Sequence, residues 1–354
     1  MPVKYWMITN RNVIRKGSKR DLGQDRDSLT FYTSAGSRAI DDFASWSEQT
    51  PEKFKTALIA ASDRFPELPE PQHEDQKHVT IFVHGYNASW KDAARRYAKI
   101  VDDLFTDRAG VKGLGICILF TWPSDGQTTA YLPDRRDARE SAEQFTEVLS
   151  ELYDWLIHKQ LECAAGAGTT CRAKTSIIAH SMGNYVVQCA MKWAWTRKNR
   201  PLLVSLINQL VMVAADVDND LFKHGESVTD SDGEGIANLT YRVTALYSGR
   251  DPVLGVSAGL KHFGKRRLGR SGLACRDDLP DNVWDVDCST FFAASERNIH
   301  SAYFDTPRSI ELIRQLLRGI DRGVLVSARI ATPDASIPVT TAPTTEHGAT
   351  PSGG

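Results

Sequence analysis

Residues 177–187 read IIAHSMGNYVV, and the reading of the fold starts there. The run TSIIAH (175–180) is apolar and β-branched, as a strand covered on both faces would be. Residues 182–197 instead carry helical periodicity. A chain that leaves a strand and enters a helix across a single serine must turn sharply. The residues two positions to either side must then be small, because their backbones come close together. Ala179 and Gly183 meet that demand around Ser181. A plain junction with Ser181 as a helix cap is the simpler alternative.

Working outward, strands and helices alternate. HVTIFVHG (78–85) is a buried strand running into a helix at about 89–106, where Ala93, Tyr97, Ile100, Val101 and Leu104 recur at helical spacing. GICILFTW (115–122) is the next strand, followed by a long helix near 134–160. LINQLVMVAAD (206–216) and TYRVTALYS (240–248) contain two more strands, and 307–320 is an amphipathic helix. Residues 3–9 and 28–33 read as opening strands, and 52–63 as a short helix. The alternation predicts an α/β protein whose mostly parallel central sheet carries helices on both faces. Each helix belongs to a strand–helix unit, so residues 1–328 are read as a single domain. Residues 217–239 and 252–290 are candidate lid or cap loops, and the Thr/Pro/Ala-rich 329–354 is expected to be a disordered tail.

The A-H-S-M-G pentapeptide (179–183) resembles the G-x-S-x-G nucleophile elbow, with alanine in place of the first glycine. Such a turn lifts Ser181 Oγ out of the sheet. It also points the Met182 N–H and a helix N-terminus toward the reaction centre. V-H-G-Y-N (83–87) follows a neighbouring strand; Gly85 frees the backbone, and the Tyr86 N–H is the candidate second oxyanion donor. His84 and His180 flank these motifs in supporting positions, where geometry bars them from acting as the base. His158 falls inside a helix and His347 in the tail, leaving His224, His262 and His300 after the serine. In the order Ser, acid, His, the best placed is His300, just before the last helix. Asp251 directly follows the strand 240–248 and is the favoured acid; Asp216, at the end of the preceding strand, is the alternative.

Taken together these motifs resemble a known family. TWPSDGQTTAYLPDRRDARESAEQF (121–145) is similar to the F-W-P-S-x-G…Y…D-R…A…S-A signature of bacterial α/β-hydrolases of unknown function, serine hydrolases grouped with esterases and lipases. T-N-R (9–11), V-H-G-Y-N (83–87), A-H-S-M-G-N (179–184), A-A-D-V-D (214–218), Y-S-G-R-D (247–251) and I-H-S-A-Y-F (299–304) occur in the matching order. The resemblance covers roughly residues 3–320. It implies an α/β-hydrolase fold with Ser181, Asp251 and His300 as a catalytic triad. The family usually has glycine at position 179, and A-L-x-x-S where this chain has P-V-L-G-V-S after the acid.

Composition narrows the function further. The 354 residues are 41% hydrophobic and 25% charged, and 43 basic against 44 acidic residues give a net charge of -1. That balance gives no reason to expect nucleic acid as a partner. Neither a metal-ligand spacing nor a phosphate-binding glycine loop is present, so no cofactor and no metal are expected. The basic run KHFGKRRLGR (261–270) reads as a solvated loop, and Trp90, Trp122, Trp193, Trp195 and Trp284 as core or pocket residues. No apolar run suggests a membrane span, and the N-terminus has no signal-peptide pattern. A cytoplasmic protein is the default, with an exported mature form as the other reading. Cys163/Cys171 and Cys275/Cys288 are conceivable disulfides in the second case; free thiols are expected in the first. The expected activity is hydrolysis of a carboxylic ester through an acyl-enzyme. The rivals are a lipase, phospholipase or thioesterase on a lipid-like substrate, and a non-catalytic binding protein that retains the fold.

Overall fold

The computed structural model describes residues 3–66, 76–124, 131–165, 173–198, 205–223, 233–261, 264–274 and 278–332. Its strands are β1 (Tyr5–Lys16), β2 (Lys19–Ser34), β3 (Ser47–Gln49), β4 (Lys77–Val83), β5 (Gly115–Thr121), β6 (Ala173–His180), β7 (Ile207–Val213), β8 (Thr240–Tyr247) and β9 (Val283–Asp287). Its helices are α1 (Pro51–Ser62), α2 (Trp90–Ile100), α3 (Tyr131–Ala164), α4 (Gly183–Lys198), α5 (Glu234–Leu239), α6 (Pro252–Val256), α7 (Leu268–Ser271), α8 (Ile299–Ala302), α9 (Pro307–Leu317) and α10 (Arg322–Ser327).

The strands form one nine-stranded sheet in the order β3-β2-β1-β5-β4-β6-β7-β8-β9. Only β2 runs against the rest. Side chains alternate between two cores, as strand geometry requires. Val79, Ile81 and Val83 of β4, with Ile177 and Ala179 of β6, pack with Phe145 and Leu149 of α3 and Val186 of α4. Phe82, Ile178 and Val211 point the other way, into a core shared with Tyr97 of α2 and Leu312 and Leu316 of α9. Burial on both faces explains why β4–β7 read as nearly continuous apolar runs.

Three parts of the fold depart from the sequence reading. The opening strands form a hairpin far longer than 3–9 and 28–33, turning at Gly17 with φ +65°. Its outer half is mostly polar, with Leu22 reaching the core and Val13 and Ile14 half-buried, so no clean apolar alternation marks it. The expected irregular stretch after β8 contains α6, α7 and the parallel edge strand β9. In VWDVD an aspartate interrupts the apolar pattern; Asp285 is nonetheless buried, and its carboxylate accepts the Leu273 N–H at 2.7 Å. The flanks of the expected lid at 217–239 are core: Val217, Leu221, Phe222, Ile236 and Leu239 are all buried, while 224–232 lie outside the described residues.

Packed chain continues past Ala328 to Thr332, whose Oγ1 donates to the Asp287 carbonyl at 2.8 Å; residues 333–354 of the expected tail lie outside the described residues. Among the described residues, Cys117, Cys189 and Cys288 are in no disulfide; Cys171 and Cys275 lie outside the description, as does the Cys163 side chain. The five tryptophans named from the sequence pack into the two cores. No described helix is long and apolar enough to cross a membrane.

Phe145 is fully buried and tilts against Phe120 at 4.7 Å between ring centroids, fixing α3 on the sheet. Phe145→Ala should lower unfolding free energy by about 3–5 kcal/mol in urea titrations. A loss below about 1 kcal/mol would mean that α3 is not seated there.

Candidate active site

Ser181 lies between β6 and α4 with φ +53°, a left-handed conformation rare for a residue with a Cβ. Its surroundings over-determine that shape. The Ser181 N–H donates to Val213 O at 3.0 Å, and its carbonyl accepts the Asp216 N–H at 3.1 Å. Asn184 Nδ2 donates to Ala179 O at 3.0 Å and Ser181 O at 3.1 Å, stitching the turn from inside. A Cβ on Gly183 would lie 2.5 Å from His84 O and 2.6 Å from Val83 O. One on Gly85 would lie 2.6 Å from Ser181 Cβ. The two glycines therefore let V-H-G-Y-N close directly onto the serine turn, with Gly85 against Ser181. Ala179 and Met182 are fully buried at the same turn.

His300, in α8, reaches the serine from the far end of the chain. Asp251 Oδ2 accepts His300 Nδ1–H at 2.7 Å, which leaves Nε2 as the acceptor of the Ser181 hydroxyl at 2.8 Å. Asp251 caps α6, its Oδ1 taking the Leu254 N–H at 3.1 Å, so each carboxylate oxygen has a separate task. Arg270 also donates to the Asp251 carbonyl. Ser181, Asp251 and His300 are 3%, 0% and 8% exposed. His300 precedes α9, and α10 follows, so it does not stand before the last helix.

The other site histidines are held as neutral scaffolding. His180 Nε2–H donates to the His300 carbonyl at 2.8 Å, and burial, with His300 alongside, holds its pKa well below the usual imidazole range. His84 Nδ1–H donates to Gly85 O at 2.9 Å, while Nε2 accepts the Trp122 N–H at 3.2 Å. Burial, with Arg11 nearby, pushes His84 down to about 3. Its ring stacks on Trp122, whose Nε1–H returns to the His84 carbonyl at 2.9 Å. Arg11, from T-N-R, donates to Ala88 O at 3.1 Å, and Asp134 accepts the Asn87 N–H at 3.4 Å. The loop after β4 is thereby fixed at both ends.

The alternative acid, Asp216, belongs to a different network. It accepts Tyr131 Oη–H at 2.8 Å, Ser257 Oγ–H at 2.9 Å and Arg267 Nε–H at 2.8 Å. Burial would raise its carboxyl; the Arg267 charge and the two hydroxyls outweigh that and lower it. Arg267 is fully buried and also pairs with Asp218. The basic run is thus in part an internal clamp, contrary to the solvated-loop expectation. The sequence reading passed over Arg11, Asn184, Tyr131 and Arg267, although each lies within or next to a motif it quoted. His224, His262 and His347 lie outside the described residues.

A parallel sheet covered on both faces, with a serine on a left-handed strand-to-helix turn, defines an α/β hydrolase. The chain belongs to the family described as alpha/beta hydrolase of unknown function (DUF900), which matches residues 67–318. Among solved structures it is similar to Aspergillus fumigatus lipase B, at 13% identity over 94% of this chain and 70% of that one, with a TM-score of 0.37. Carboxyl esterase 2 from Tuber melanosporum shows 11% identity over 69% and 79% of the two chains, with a TM-score of 0.37. An esterase from Pyrobaculum calidifontis shows 11% identity over 68% and 75%, with a TM-score of 0.34. No curated protein matches the chain.

Two predictions follow from this packing. Gly183→Ala should destabilise the fold by about 1–3 kcal/mol, since its methyl meets backbone carbonyls that cannot move independently. Thermal melts beside Gly259→Ala, where φ is likewise not left-handed and a Cβ meets nothing within 4 Å, isolate the packing cost. Acid should also weaken the fold. Burial holds His78, with Lys174 near it, and His84 at about 3. The unfolded chain takes up their protons below about 6.5, so stability falls as pH drops from about 6.5 toward 3. Each such histidine contributes up to about 1.4 kcal/mol per pH unit, and His78→Gln should flatten the urea-measured slope by that amount. An unchanged slope would mean that His78 is protonated in the fold.

Proposed function

We propose that the protein is a serine hydrolase that cleaves carboxylic esters, with Ser181 as nucleophile, His300 as general base and acid, and Asp251 orienting the imidazole. The supporting observation is the hydrogen-bond chain Ser181 Oγ–His300 Nε2–His300 Nδ1–Asp251 Oδ2, at 2.8 Å and 2.7 Å. Ser181 Oγ attacks the ester carbonyl carbon as its proton passes to His300 Nε2. The carbonyl oxygen becomes an oxyanion, which the N–H groups of Tyr86 and Met182 receive. When the tetrahedral intermediate collapses, the C–O bond to the alcohol breaks and Nε2 returns the proton to the leaving alkoxide. Water then attacks the acyl-enzyme, giving its proton to Nε2, and the acid leaves as Ser181 recovers its own. Asp251 holds the proton on Nδ1, so the basic nitrogen faces the serine throughout.

His180 cannot replace His300. Its Nε2–H is committed to the His300 carbonyl, and burial keeps the ring neutral.

A fluorophosphonate probe followed by peptide mapping tests the assignment. Labelling should fall on Ser181 and disappear in Ser181→Ala and His300→Ala. Against p-nitrophenyl esters of graded chain length, both variants should lose roughly 10⁴–10⁶ in kcat, and Asp251→Asn about 10⁴. A folded protein that the probe leaves unlabelled would overturn the reading and point to binding. A steep rise in kcat/KM with acyl length would move the substrate class to lipids, and faster turnover of the matched thioesters would move it to thioesters.

A further inference from the structure

His300 sits in α8, a single helical turn whose N-cap, Asn298, makes no side-chain cap. The stretch 293–298 that leads into it is exposed. So short a helix has no stability of its own, and its place is set by whatever holds its backbone. The ring bonds from His300 to Asp251 and Ser181 are reproducible only if that backbone is fixed.

Two arginines outside the proposed triad grip the chain on either side of His300. Arg250, the residue before Asp251, turns its guanidinium toward four carbonyls of the segment that runs to His300. Its Nη1 donates to Ser289 O at 3.2 Å and Phe292 O at 3.0 Å, and its Nη2 to Ala293 O at 2.9 Å and Ala294 O at 3.2 Å. A planar fork with fixed N–H directions can serve several acceptors at once, whereas a lysine ammonium cannot span them. Arg250 thereby ties the segment of the acid to the segment of the imidazole. From the other side, Arg96 of α2 donates from Nη1 to Ser301 O at 3.1 Å, one residue past His300. Its guanidinium lies 5.4 Å from the centre of the Phe304 ring, which meets His180 edge-on at 5.5 Å.

The setting of Arg96 differs from that of its neighbour. Arg95 is exposed and paired with Asp41 and Asp92. Arg96 is half-buried, no carboxylate pairs with it among the described residues, and burial lowers its pKa. Withdrawing a guanidinium from water without a paired carboxylate is costly. What this one meets instead is the carbonyl next to His300 and an aromatic face.

We infer that Arg250 and Arg96 are positioning residues for His300, holding the backbone on both sides of it so that Nε2 stays on the Ser181 hydroxyl. The inference rests on the proposed roles of Ser181, His300 and Asp251.

Steady-state kinetics on p-nitrophenyl acetate test it, beside proton NMR. Arg250→Met and Arg96→Met should each lower kcat about tenfold with KM within about twofold, and the pair about a hundredfold. Arg96→Lys should recover most of its loss, because one N–H and a cation over the ring suffice there. Arg250→Lys should recover little, because charge without the fork cannot hold the separate carbonyls. Arg95→Met, which removes only surface ion pairs, should keep wild-type kcat. The low-field proton resonance of His300 Nδ1–H, identified by its loss in Asp251→Asn, should shift or broaden in both Met variants while circular dichroism shows them folded. Wild-type kcat in both Met variants, full recovery by Arg250→Lys, an equal loss in Arg95→Met, or a loss of kcat with an unchanged resonance would overturn the inference. A wild type that the fluorophosphonate leaves unlabelled removes the proposed triad itself. A labelled wild type beside Met variants of undiminished rate removes the positioning roles alone.

Discussion

A serine held at φ +53° is the constraint on which the rest of the site depends. That conformation is unfavourable for an L-residue and persists only where its neighbours leave no alternative. Here they come from four directions. The β7 strand takes the Ser181 N–H, the Asp216 peptide takes its carbonyl, Asn184 ties the turn internally, and the loop after β4 closes over it through Gly85 and Gly183. The closeness of that loop is what sets the Gly85 backbone against the serine. The same closeness brings His84 and Trp122 into one stack, which holds the loop from behind. Strain at one residue is thus tied to order in three segments distant in sequence.

The electrostatics are arranged to keep one imidazole different from its neighbours. His84 and His180 each have a ring N–H committed to a carbonyl, and burial keeps both neutral. His300 alone sits between a carboxylate and a hydroxyl. The distinction comes from partners more than from depth, since His300 is itself only 8% exposed. A buried imidazole facing carbonyls has a fixed tautomer and no proton to move. One facing a carboxylate on one side and an alcohol on the other can accept a proton at Nε2 while the carboxylate compensates the charge.

Much of this was legible in the sequence, and the failures have physical causes. Strands buried on both faces announce themselves as apolar runs, so β4, β5, β6, β7 and β8 were found within a few residues of their observed ends. The outer halves of β1 and β2 are mostly polar, with Leu22 the buried leucine among them, and follow no clean apolar rule. β9 is short, and one of its buried positions is an aspartate whose partner, the Leu273 N–H, is set by tertiary structure. Ser181 and His300, which the fold brings to 2.8 Å, stood out because their motifs constrain backbone shape and chain order. Asn184, Arg11 and Arg267 were passed over because their partners are carbonyls and carboxylates brought close only by folding. An arginine destined for full burial cannot be told by spacing from its solvated neighbours in KHFGKRRLGR.

The two candidate acids show how such a clamp decides a role. Asp216 and Asp251 both follow strands of the parallel sheet, and the sequence left both open. Arg267 takes Asp216 Oδ1 and Ser257 shares it, while Tyr131 takes Oδ2. Three donors, one of them a buried guanidinium, tie that carboxylate into its own network, and the imidazole of His300 bonds Asp251 instead. Asp251 gives Oδ1 to a helix cap and keeps Oδ2 for His300. The neighbouring Arg270 binds the Asp251 main chain and leaves its carboxylate alone. Two arginines from one basic run thus treat the two aspartates differently, one neutralising a side chain and the other only fixing a backbone. Which aspartate can serve the histidine is decided by a segment read from the sequence as a solvated loop.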